Sequence, residues 1–169
     1  MAAVTAAATD LFAERGPAAT SIRQIADRAG VNQGLVFRHL GTKDQVVGAV
    51  LDSLSAQWVD GLPPGTAART DPRLRRQLTV IARCSLDGYP VGRMQQRFPG
   101  MEVLLRQAAT THPDPRAAAL ATAHSVALGL GWLMFESFLL GATGLTELSG
   151  DELTRAVDLE VRRILYDSV

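Results

Sequence analysis

The chain has 169 residues, of which 47% are hydrophobic and 20% charged. That is long enough for one or two domains and too apolar for a disordered chain. Seventeen basic residues balance seventeen acidic ones, which excludes a chain-wide basic coat for nucleic acid or an anionic membrane and leaves a local basic face open.

Cys84 is the only cysteine, so an internal disulfide and a multi-cysteine zinc site are excluded. The expected compartment is reducing and cytoplasmic. Met1–Ala8 lacks a basic region followed by a long apolar stretch, so no signal peptide is expected. The strongest apolar run, Val126–Phe135, is ten residues closed by Glu136, too short to span a bilayer. No membrane association is expected.

Taken in chain order, apolar residues recur at spacings of three and four, and no strand-like alternation appears. The expected fold class is all-α, with helices over 2–15, 22–29, 33–40, 43–59, 72–87, 91–97, 100–111, 115–141 and 150–167. Ser21 with Gln24, Thr42 with Gln45 and Ser149 with Glu152 fit capping boxes. Asp71-Pro72 and Asp114-Pro115 fit an N-cap followed by proline in the first turn. Gly61-Leu62-Pro63-Pro64-Gly65 reads as a loop separating a small N-terminal unit from a larger helical one.

The informative stretch is Thr20–Lys43. Ile22, Ile25, Ala26 and Ala29 form one buried face behind the Ser21 cap. Gly30 suits a left-handed helix C-terminus, Val31 anchors the turn, and Asn32 caps a second helix whose core contacts are Leu35, Val36 and Leu40. This is the pattern of a helix-turn-helix, and equally of an ordinary helical hairpin. The polar residues around it favour DNA. Asn32, Gln33 and Arg38 suit base edges or phosphates, and His39 can donate to a phosphate. Lys43 opens the next helix, and Thr20 and Ser21 offer hydroxyls at the start of the first one.

Asp10-Leu11-Phe12-Ala13-Glu14-Arg15-Gly16, Thr20-Ser21-Ile22-Arg23-Gln24-Ile25-Ala26 and Ala29-Gly30-Val31-Asn32-Gln33-Gly34-Leu35-Val36-Phe37-Arg38-His39-Leu40 with Lys43 resemble the TetR family of bacterial transcriptional regulators over residues 4–50. The resemblance implies a three-helix DNA-binding domain over 1–48 and a helical ligand-binding and dimerisation domain over 49–169. It places Gln33, Gly34, Leu35 and Arg38 at bases or nearby backbone, and Thr20, Phe37, His39 and Lys43 at phosphates. Two departures stand out. Phe37 replaces the usual Tyr and forfeits a hydrogen bond worth about 0.5–1.5 kcal/mol. No Arg or Lys precedes Arg15, so the family's basic arm is either absent or lies upstream of Met1. Both lower the expected affinity and its salt dependence.

Residues 72–169 carry no catalytic motif, phosphate-binding glycine loop or metal-ligand spacing. No enzyme activity, cofactor or metal is expected. The segment 115–141 is apolar around most of its circumference between Val126 and Phe135, so a partner subunit is expected to cover it. Leu153, Ala156, Val157, Val161, Ile164 and Leu165 form an apolar stripe on the last helix. Helices 115–141 and 150–167 are therefore the expected homodimer interface, and a two-fold dimer matches a palindromic double-stranded operator. Gly129 and Gly131 fit close helix approach or space for a ligand. Candidate pocket residues for a small-molecule effector are Trp58, Cys84, Tyr89, Met94, Phe98, Met101, Leu104, His124, Trp132 and Glu136. The expected function is a dimeric, ligand-responsive repressor in which a small apolar effector shifts helix 43–59 and releases DNA. The alternative is a small-molecule-binding helical dimer with weakened or lost DNA binding.

Overall fold

The computed structural model describes residues 2–58 and 71–167. Among them are nine helices and no strands: α1 (Ala2–Arg15), α2 (Ile22–Ala29), α3 (Gln33–Leu40), α4 (Lys43–Ala56), α5 (Pro72–Leu86), α6 (Val91–Met94), α7 (Pro99–Ala108), α8 (Pro115–Thr143) and α9 (Gly150–Tyr166). The expected Gly61–Gly65 loop lies outside the described residues, and the helix expected over 43–59 stops at Ala56, with Gln57 as its cap.

The helices begin where local chemistry says they should. The capping boxes at Ser21, Thr42 and Ser149 all form, each satisfying two backbone donors that a helix start leaves without partners. Asp114 accepts from the backbone N–H of Arg116 and Ala117, and Asp71 accepts from that of Arg73. The Arg73 side chain holds the Asp71 carboxyl down to about 2. The ends differ more. The helix expected over 91–97 stops at Met94, where Gln95 becomes extended, and a proline follows Phe98. The helix expected over 100–111 starts at Pro99 and stops at Ala108. α8 runs to Thr143, capped by left-handed Gly144, and departs from helical dihedrals at Phe135.

The described residues divide into two compact units. The first joins 2–58 to Arg76–Phe98. α1, α2, α3 and α4 pack around Leu11, Phe12, Ile25, Val36, Val46, Val47, Val50 and Leu51, and α6 lies on α4. Val80 and Cys84 of α5 complete this core with no exposure. Two polar links reinforce them: Arg76 pairs with Asp10 of α1, and Asp87 accepts from the Ala18 backbone N–H at 2.6 Å. The sequence division at residues 48 and 49 follows the helix-turn-helix alone. The compact unit extends beyond it because α5 and α6 bury apolar side chains against α1 and α4.

A polar cluster lies inside this unit. The Trp58 indole N–H donates to Gln77 Oε1. Gln77 Nε2 donates to Ser55 Oγ at 3.2 Å, and Gln95 Nε2 donates to the same oxygen and to the Arg97 carbonyl, both at 2.6 Å. Ser55, Trp58, Gln77 and Gln95 are all buried. The early end of α6 has its reason here, because extended backbone at Gln95 lets its amide turn back onto Ser55.

The second unit joins 71–75 to 99–167. α7, α8 and α9 pack together around Ala108, Ala118, Ala121 and Leu165, with Leu104, Val161 and Ile164 against them. The small Ala side chains bring α8 close to its neighbours, while Leu153 and Val157 bury the inner face of α9. α8 has 29 residues and is long and apolar enough, by length and composition, to cross a membrane. The ten-residue run counted in the sequence understated it, because the helix continues through Glu136 to Thr143.

Candidate nucleic-acid interface

Ile22, Ile25 and Ala26 bury one face of α2. Gly30 ends α2 at φ 67°, ψ 31°, a left-handed conformation that costs glycine little. Its N–H, and that of Val31, return to the carbonyls of the last turn. Asn32 then caps α3, its Oδ1 accepting from the Gly34 N–H at 2.7 Å. Helix, tight turn and second helix follow in the order of a helix-turn-helix. Arg28 and Glu14 add a two-pronged pair at 3.0 and 3.1 Å that ties α2 to α1. Hydrogen bonding to Arg28 holds the Glu14 carboxyl below its usual value.

α3 has eight residues and buries one side chain, Val36. Leu40 packs partly against the core. Gln33, Gly34, Leu35, Phe37, Arg38 and His39 are all exposed. Leu35 was expected in the core and is 42% exposed instead, and Phe37 is 50% exposed. The expected spacing counted Leu35, Val36 and Leu40 as one face, but a short helix resting on a single turn can bury only Val36 and Leu40. Arg38 and Lys43 have no ion-pair partner among the described residues, whereas Arg23 and Arg28 are paired. Two positive charges are thus available beside α3.

Three polar residues act differently from the simplest expectation. Thr20 is 1% exposed, and its hydroxyl donates inward to the Gly16 carbonyl at 2.8 Å. That hydroxyl holds the turn after α1, so only the backbone around Thr20 can face a phosphate. Ser21 is exposed, with its hydroxyl engaged in the cap of α2. Asn32 is exposed, with Oδ1 committed to Gly34.

The pocket candidates fall in both units. Trp58, Cys84, Tyr89, Met94 and Phe98 belong to the first unit, while Met101, Leu104, His124, Trp132 and Glu136 belong to the second. Cys84 lies in the core beside the helix-turn-helix, with Tyr89 and Met94 packed against it. Burial pushes the Cys84 thiol up to about 11, with Asp87 adding to the shift. Leu104 joins the core of the second unit. His124 is exposed on α8, and Met101, Trp132 and Glu136 are half-buried. No group of His, Cys, Asp and Glu suited to a metal ion occurs among the described residues. The contributions of Arg76, Asp87, Ser55, Gln77 and Gln95 carried no local sequence signal, because each depends on a residue at least 19 positions away.

Residues 4–50 match the family model described as bacterial regulatory proteins of the tetR family. Over 165 residues the chain is 54% identical to the HTH-type transcriptional repressor Rv3405c of Mycobacterium tuberculosis, covering 97% of this chain and 88% of that protein. The chain belongs to the TetR family. It is a DNA-binding transcriptional regulator and not an enzyme. The fold of this TetR-family regulator agrees. A transcriptional regulator from Rhodococcus sp. Rha1 superposes with a TM-score of 0.66 at 22% identity, over 96% of this chain and 94% of that one. A TetR variant from Acinetobacter baumannii AYE, solved in complex with minocycline, superposes with a TM-score of 0.51 at 18% identity, over 96% and 88%.

Proposed function

We propose that this TetR-family regulator is a cytoplasmic repressor. It binds a palindromic operator as a homodimer through α3 and is released by a small apolar effector held by the second unit. The observation that carries the reading is α3 itself, which rests on Val36 and turns Gln33, Gly34, Leu35, Phe37, Arg38 and His39 outward. A helix so exposed suits insertion into a major groove. Gln33 and Arg38 are its base-reading side chains, with His39, Lys43 and the backbone at Thr20 on the phosphates, while Ser21 holds the start of α2. Asn32 supports the site by holding the first turn of α3.

The homodimer is supported by an apolar surface on the second unit. Leu120, Met134 and Phe138 of α8 and Leu159 of α9 are 49%, 37%, 67% and 70% exposed. On α8 these residues lie opposite the buried Ala118, Ala121 and Ser125. A side chain built at Gly129 or Gly131 meets nothing within 4 Å, so packing within one protomer does not require these glycines. A facing subunit can use the space. The repressor assignment is supported by the name of the Mycobacterium tuberculosis relative. Release requires an effector that binds one conformation of the dimer more tightly than the other.

The test is a gel shift on the DNA flanking the protein's own gene, with the dimer verified by light scattering. A specific complex is expected at low salt. Gln33→Ala should relax sequence preference. Lys43→Ala should weaken all DNA alike and lower the salt slope by about one per half-site. A verified dimer giving no specific complex, or complexes unchanged in both variants, refutes the reading.

A further inference from the structure

The outward face of α3 is unusual in its chemistry. Asn32 Oδ1 holds the Gly34 N–H, and the side chains proposed to read base edges are Gln33 and Arg38. Between them the helix exposes Leu35. At Gly34 there is no side chain, and one built there would meet only Asn32 Oδ1, at 3.2 Å. The first turn of α3 therefore presents bare backbone, which allows close approach to the groove. Leu35 stands beside that gap. It is one turn from Arg38, which lies three residues on along the same side of the helix. The edges of the base pairs in the major groove offer one prominent apolar group, the 5-methyl of thymine.

We infer that Leu35 is a specificity-determining residue that reads a thymine 5-methyl group in each half-site of the operator. The inference rests on the proposed insertion of α3 into the major groove and goes beyond it by naming the chemistry read. Burying Leu35 on a thymine methyl removes two apolar surfaces from water together. Cytosine at that position carries only a hydrogen at C5, so the apolar contact with the leucine is lost. Discrimination at this position then comes from shape and desolvation, while Arg38 and Gln33 supply the hydrogen-bonded positions.

The experiment uses the DNA selected in vitro by the purified full chain. Each thymine is replaced in turn by deoxyuridine, which removes the methyl and keeps every hydrogen bond. Binding is followed by fluorescence anisotropy for the wild type, Leu35→Ala and Phe37→Tyr. At one thymine per half-site the wild type should lose about fourfold in affinity, the worth of one buried methyl group, and about 15-fold when both half-sites are changed. Leu35→Ala should bind thymine and deoxyuridine equally at that position, and Phe37→Tyr should keep the wild-type discrimination. Leu35 is exposed, so the alanine variant is expected to keep the wild-type melting temperature. A specific complex indifferent to every methyl, or one whose methyl sensitivity survives in Leu35→Ala, overturns the inference alone. Absence of any specific complex overturns the operator reading, and this inference with it.

Discussion

Val36 anchors α3 with one buried side chain, which frees its neighbours to face outward. The same economy appears at Thr20, whose hydroxyl turns in to the Gly16 carbonyl, and at Asn32, which holds Gly34. Cys84 is the opposite case, a nucleophile by element that serves as packing. Burial and the nearby Asp87 raise its thiol to about 11. The thiolate, which is the reactive form, is therefore about a hundredfold scarcer at neutral pH than in an unperturbed thiol. Native protein at pH 8 is expected to react with a thiol reagent only as fast as it opens. Labelling should accelerate in denaturant along the unfolding curve. Rapid stoichiometric labelling of the native protein would show that Cys84 is not the enclosed residue described.

At the scale of helices, starts and ends obeyed different rules. Ser21, Thr42, Ser149, Asp71 and Asp114 mark starts through partners within three residues, so they were legible from local sequence. The end of α6 at Met94 was not, because Gln95 leaves the helix to reach Ser55 on α4. That serine oxygen accepts from two buried amides, Gln77 and Gln95. Ser55→Ala is expected to strand both and to destabilise the protein by about 1–3 kcal/mol. The change should appear in the denaturant midpoint of the full chain with an unchanged slope. A midpoint equal to that of the wild type would show that the cluster does not support the end of α4.

Across the whole molecule, the first unit is larger than the helix-turn-helix that names it. Val80, Cys84, Arg76 and Asp87 of the α5 region bind to α1 and to the turn before α2. The second unit leaves Leu120, Phe138 and Leu159 exposed. If these residues form the homodimer, Leu159→Glu introduces a desolvated charge at the interface and disturbs little within the protomer. The expected result is a folded monomer by light scattering. Loss of bivalent contact should weaken operator binding by about 100-fold or more. A stable dimer with wild-type operator affinity would exclude this face.

The all-helical class, the capped starts and the family motif of residues 4–50 could be read from the amino-acid order alone. Helical periodicity, capping and the tight turn at Gly30 involve neighbours a few positions apart, and such interactions leave a local pattern. The inward turn of Thr20, the exposure of Leu35, the polar cluster at Ser55 and the recruitment of α5 into the first unit were decided by the tertiary structure. Each depends on which surface the folded chain brings opposite a residue. Leu35 and Val36 are equally apolar neighbours, yet the core reaches Val36 and leaves Leu35 exposed beside Arg38.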